Sequence, residues 1–208
     1  MSIFAFYPKR LADRITAAVS SMVRDRRGVA AVEFAMIAPL LLVLYFMTME
    51  VTLALETNKK VSRISSMVAD LVTQQSEVKK ADLDAIINIG EAIIYPYDRS
   101  FPSIEIVGIE ITDENNPKAK VAWSRKAVNN SPSAGPAQGT EVTIPTDLKI
   151  RGTFLVRVET TLGYRPIIAW AADQKASLGL MSAFDNISMK ETYYLRARTS
   201  AKVECQDC

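Results

Sequence analysis

The carboxylate of Glu33 is the group in this chain that most needs a chemical explanation. It stands near the start of an apolar run, in R-D-R-R-G-V-A-A-V-E-F-A-M-I-A-P-L-L-L-V-L-Y-F-M-T-M-E-V-T-L-A-L from Arg24 to Leu55, and no other charge occurs between Phe34 and Met49. A carboxylate at the centre of a membrane helix costs about 2.5–3.5 kcal/mol. Two readings are open. Glu33 lies roughly 7 Å past Gly28 at helical rise, so it can snorkel to the headgroups or take a proton. Alternatively it meets a fixed positive charge on a neighbouring chain. Glu50, at the other end of the uncharged stretch, poses the same choice, and there the headgroups are the preferred reading.

Elsewhere the reactive residue types are sparse. Histidine is absent, which removes the commonest general base and a common metal ligand. Cys205 and Cys208 end the chain as C-x-x-C. A redox motif of this kind belongs at a helix start within a βαβ unit, and zinc needs further strong ligands. A small terminal disulfide is the default, weakly stabilising because the loop it closes is tiny. Asp82 and Asp84 could be taken for an acid pair or a metal site, but both fall in the first turn of an expected helix, where carboxylates suit the helix dipole. With no nucleophile–base pair, phosphate loop or metal cluster, no enzyme, cofactor or metal is expected. The net charge of +2 gives no reason to expect a nucleic-acid partner.

The apolar run is the element that must position Glu33. About 20 apolar residues span the hydrocarbon core of a bilayer, and Val29–Leu55 is long enough. A secretory signal core is shorter and ends at a small-residue cleavage site, so it fits less well. The flank before the run carries Lys9, Arg10, Arg14, Arg24, Arg26 and Arg27, whereas the flank after it carries Glu56, Lys59, Lys60 and Arg63. The positive-inside rule then puts residues 1–28 in the cytoplasm and the larger C-terminal part outside. Leu11, Ile15, Val19 and Met22 recur at helical steps, which fits an amphipathic helix on the inner leaflet. Arg26-Arg27 does not continue as a twin-arginine signal, and Asp13, Asp25 and the following span argue against a transit peptide.

The string Gly28-Val29-Ala30-Ala31-Val32-Glu33-Phe34 resembles the processing site of type IV prepilins. There a basic leader ends in glycine and glutamate is the fifth residue of the mature chain. The longer R-R-G-V-A-A-V-E-F-A-M-I-A-P-L-L-L is similar to the TadE-type pseudopilins of the tight-adherence (Flp) secretion system, over roughly residues 24–50. The resemblance implies a prepilin peptidase that cuts between Gly28 and Val29, removes residues 1–28 as a basic cytoplasmic leader and frees the Val29 amine. It also implies that Glu33 pairs with that amine on an adjacent subunit and so sets axial register. Phe34 stands where a tyrosine is often found and keeps the ring without the hydroxyl. Pro39 predicts a kink in the transmembrane helix, a feature also common in pilins. The implied partners are the peptidase, other pilins or pseudopilins, the pilus assembly platform and membrane lipid. The implied location is a bacterial inner membrane, crossed once, with the C-terminal domain periplasmic or extracellular.

Beyond residue 55 an exported domain, 56–208, is expected on a helical stem. Leu53, Val61, Ile64, Val68, Leu71 and Val72 recur at mostly three- and four-residue steps, and Glu56 and Lys60 are spaced to pair. The helix should therefore run on to about Gln75 and lay its stripe on the domain's own sheet. Ala81–Ile94 reads as a second helix stopped by Pro96. Ser103–Thr112 and Ala119–Ser124 read as a hairpin, with a bulge where the phase slips at Gly108. Residues 129–140 read as an exposed loop, Thr153–Leu162 as a strand, Ile167–Leu180 as an apolar connection, and Glu191–Val203 as a closing strand. The fold class is α+β and pilin-like: a long N-terminal transmembrane and stem helix packed on a small antiparallel sheet. Function then divides between a minor pseudopilin that supports pilus assembly and an unprocessed single-pass protein whose outer domain binds a ligand or a partner subunit.

Overall fold

The structure, a computed structural model, describes residues 28–166 and 187–208. The expected leader helix and the Ile167–Leu180 connection lie outside these residues. The chain divides into two compact units, Met1–Met49 and Glu50–Cys208.

Helix α1 runs from Val29 to Thr73. In the first unit its side chains are exposed or half-buried throughout, Phe34, Met36, Leu40 and Leu44 among them. Its most apolar 18-residue window has a mean hydropathy of 2.3 with none of it buried. A face of this kind needs a lipid or protein environment. From Glu50 on, the same helix buries a stripe of Thr57, Val61, Ile64, Ser65, Val68, Ala69 and Val72. The carbonyls at its end, which have no partner within the helix, are met from outside. Arg198 donates its backbone N–H to the Thr73 carbonyl at 2.9 Å, and Thr199 donates its hydroxyl to that of Gln74 at 2.8 Å.

Helix α2, Lys80–Ala92, starts two residues after the short strand β1, Glu77–Val78. The carboxylate of Asp82 accepts the backbone N–H of Lys79, which caps the first turn as expected. The sheet comprises β2 (Ser103–Ile111), β3 (Ala119–Val128), β4 (Ser131–Ser133), β5 (Phe154–Gly163) and β6 (Ser188–Arg196) in the order β4-β3-β2-β5-β6, antiparallel throughout. The stripe of α1 and Leu83, Ile86 and Ile87 of α2 share one core with Ile104, Ile106, Trp123, Val156 and Val158. Each such side chain removed from water contributes about 1.5–3 kcal/mol, which outweighs the weak cooperativity of an isolated helix. A second cluster, Val107, Ile109, Ile111, Val121, Ile144 and Leu155, forms on the opposite face of the sheet beneath Val142 and Leu148.

Four sequence-based expectations are corrected. The register shift does fall at Gly108/Ile109, but the extra residue belongs to β3, because Gly108 faces Trp123 and Ile109 faces Val121. Strand β2 keeps its alternation and simply has two apolar faces. The bulge at Ala122 instead turns Trp123 onto the helix side, away from the face that takes Ala119 and Val121. Gly108 leaves room for it, since a Cβ there would overlap the indole. Second, the 129–140 loop begins with β4, reached through Asn129 and Asn130 at positive φ. Third, Lys60 turns its ammonium to the carbonyls of Tyr95 (2.8 Å) and Ile94 (3.5 Å), not to Glu56. Fourth, the closing strand ends at Arg196 rather than Val203. The chain then turns back to α1, and β7 (Glu204–Cys205) pairs in parallel with β1.

Candidate functional site

Gly28 immediately precedes the first residue of α1, and among the described residues, its chain neighbour aside, no atom lies within 4 Å of the position a Cβ would take there. Val29 and Glu33 are four residues apart and share one face of the helix, with the Glu33 side chain leaning back toward Val29 as helical Cα–Cβ bonds do. Glu33 is exposed, and among the described residues no cation pairs with it. Phe34 is 69% exposed beside it. Pro39 lies inside α1, which continues through it. The ring denies the Ala35 carbonyl its helical N–H partner. The described part of the site is a glycine just before the helix, one exposed carboxylate and an uncovered apolar face.

The C-terminal cysteines are joined, Cys205 to Cys208. Their sulfurs lie near the Asp207 carboxylate, but sulfurs bonded to each other are not thiolate ligands. The loop they close has a structural task. Asp207 accepts the backbone N–H of Lys80 at 2.8 Å, at the start of α2, and Gln206 donates its amide to Glu77. Asp84 does not cap. It makes a two-pronged pair with Arg125, 2.7 Å at both contacts, which raises the affinity of Arg125 for its proton. A cleft of about 420 Å³ is lined by Ile111, Gly152 and Phe154 together with Glu110, Asp113, Lys120 and Lys202, charges of both signs.

Glu50 is enclosed by the protein rather than left open to headgroups. It is only 2% exposed, and its carboxylate accepts the Tyr164 hydroxyl at 2.6 Å. The phenol's affinity for its proton is raised, first by burial and then by the bond and the charge of Glu50. Tyr97 stacks on Tyr164 with ring centroids 5.7 Å apart. The sequence carries one usable signal of this pair: an acid that ends an uncharged run with no cation four residues on. Its partner lies 114 residues away and has no local signature.

Residues 28–70 match the family model of TadE-like proteins. The match begins at Gly28, takes in Glu33, Phe34 and Pro39, and ends within α1, before the first strand. No curated protein and no solved structure matches the chain.

Proposed function

We propose that this chain, TadE-like from Gly28 through most of its long helix, is a minor pseudopilin that supports assembly of a tight-adherence type IV pilus. A prepilin peptidase in the bacterial inner membrane cuts it between Gly28 and Val29 and releases the basic leader. The Glu33 carboxylate then pairs with the new amine of Val29 on an adjacent pilin or pseudopilin. In the low-dielectric interior of a membrane an unpaired carboxylate is costly, so such a pair fixes axial register as well as energy. Pro39 lets the helix bend as it passes its neighbours. The domain after residue 55 lies outside, on the periplasmic side.

The observation that carries this reading is the conjunction at one helix start: Gly28 immediately before the first helical residue, an exposed Glu33 one turn on, and an apolar face with no cover of its own, within a stretch that matches TadE-like proteins. The test is the mature N-terminus of the protein from native membranes, read by mass spectrometry. A chain that begins at Val29 supports the proposal, and one that begins at Met1 or Ser2 refutes processing. Gly28→Leu should leave the leader attached, and Glu33→Ala should abolish surface adherence. An unprocessed single-pass binding protein would tolerate both substitutions.

A further inference from the structure

We propose that the loop from Tyr95 to Phe101 is a membrane-interface foot: the outer domain rests its aromatic side chains on the headgroups of the bilayer that the chain's own apolar run crosses. The inference rests on the single-pass reading above and goes beyond it.

The argument starts from chain connectivity. Val29–Met49 has a helical length of about 31 Å, against about 30 Å for a hydrocarbon core. Glu50, the next residue, therefore falls at the outer edge of the core, and whatever Glu50 holds lies at headgroup depth. It holds Tyr164 at 2.6 Å. Tyr164 in turn stacks on Tyr97, and Arg99 lies 5.5 Å over the Tyr97 ring. The Ser100 hydroxyl donates to the Gly163 carbonyl at 2.6 Å. The Arg165 N–H donates to the Tyr97 hydroxyl at 2.8 Å. These bonds seat the loop at the end of the sheet where β5 finishes and tie it through Tyr164 to Glu50.

The loop is built for an interface. Tyr95 is 78% exposed and Phe101 55%, though a domain of this size has a core available for both. Lys60 fixes the loop's start by donating to the Tyr95 carbonyl, so the Tyr95 ring is held out by a positioned backbone. Aromatic rings with cations beside them are the composition of membrane–water boundaries: the rings sit among headgroups, and Arg99 and Arg165 reach lipid phosphates. A foot of this kind limits the tilt of the domain against its helix, which an assembling subunit needs if its face is to meet a neighbour.

Tryptophan placed in the full-length chain tests this in vesicles of phosphatidylcholine and phosphatidylglycerol brominated near the glycerol end of the acyl chains. Phe46→Trp reports the anchor, Tyr95→Trp and Phe101→Trp the loop, and Ile150→Trp the far end of the sheet, where the side chain is also exposed. Emission is taken as the difference from the wild-type chain, which carries Trp123 and Trp170. The expected result is a loss of emission at 46, 95 and 101 and none at 150. Loss at 46 with 95 and 101 matching 150 overturns the foot and leaves the anchor standing. No loss at 46 overturns the anchor and the foot together.

Discussion

The contact between Glu50 and Tyr164 has a sign that can be measured. Burial and the neighbouring carboxylate both oppose ionisation of the phenol, so in the folded protein it keeps its proton to a higher pH than in the unfolded chain. An unfolded tyrosine ionises near about pH 10. Below that pH both states are protonated and the pair's contribution is fully present. Above it the unfolded chain loses its proton first, and stability falls as pH rises toward the folded value. The thermal midpoint of the detergent-solubilised chain should therefore drop more steeply above pH 10 in the wild type than in Tyr164→Phe. Parallel slopes would show that Tyr164 is not the group responsible. At neutral pH, Tyr164→Phe removes the donor to a buried carboxylate and should cost about 1–3 kcal/mol, and Glu50→Gln, which keeps an acceptor, should cost less. The sequence marks Glu50 as an acid that ends an uncharged run, but not its partner, because the pairing depends on where β5 ends relative to α1. Glu33 can be singled out from the sequence because it is the one charge between Gly28 and Met49.

At the scale of elements, the second helix carries a conflict that magnitudes decide. Gly90 lies inside α2, where alanine is the better helix former by about 0.5–1 kcal/mol. A Cβ at Gly90, however, would lie 2.8 Å from Val68 Cγ2 and 3.2 Å from both Ile64 Cγ2 and Ile104 Cδ1. All three neighbours belong to the core and are fully buried, so none can swing aside into solvent. Overpacking of a filled core costs about 1–3 kcal/mol, which exceeds the propensity gain. Gly90→Ala should lower the denaturant midpoint, and a raised midpoint would mean that α2 is free to slide away from α1. The elements themselves were largely readable: the 3.6-residue period of α1 and the alternation of β2 and β5 are both local signals. The bulge was only half readable. Gly108 marks the place, but the extra residue is Ala122 on the partner strand, and nothing in A-K-V-A-W-S-R announces it. The turn back of residues 197–203 was missed for a similar reason. Arg198 breaks away from the strand because Asp70 and the Thr73 carbonyl draw it to the end of α1, and that destination exists only once the domain is folded.

For the whole molecule, the cysteines allow the orientation to be tested without altering the chain. If residues 1–28 are cytoplasmic, everything beyond the anchor lies in an oxidising compartment, where Cys205 and Cys208 stay joined as they are in the structure. The same two residues in the cytoplasm would be kept as thiols. They are the only cysteines in the sequence, so labelling cannot arise elsewhere in the chain. Spheroplasts treated with a membrane-impermeant maleimide should show no mass increase on this protein until an impermeant reductant is added, and then an increase equal to two labels. Labelling without reductant means free thiols on the outer face, and breaks the disulfide rather than the orientation. Labelling only after the membrane is permeabilised reverses the orientation, and with it the direction in which a peptidase on the cytoplasmic face could reach Gly28. The expected result has a structural consequence as well. Reduction frees the loop that presents Asp207 to the N-terminus of α2 and Gln206 to β1. Because the closed loop is short, its entropic contribution is small. The reduced protein should stay folded and bound to the membrane, with faster amide exchange confined to Lys80 and the strands β1 and β7. Exchange that quickens throughout β2 and β5 as well would mean that the C-terminal loop holds the sheet to its helix, a larger role than its few hydrogen bonds account for.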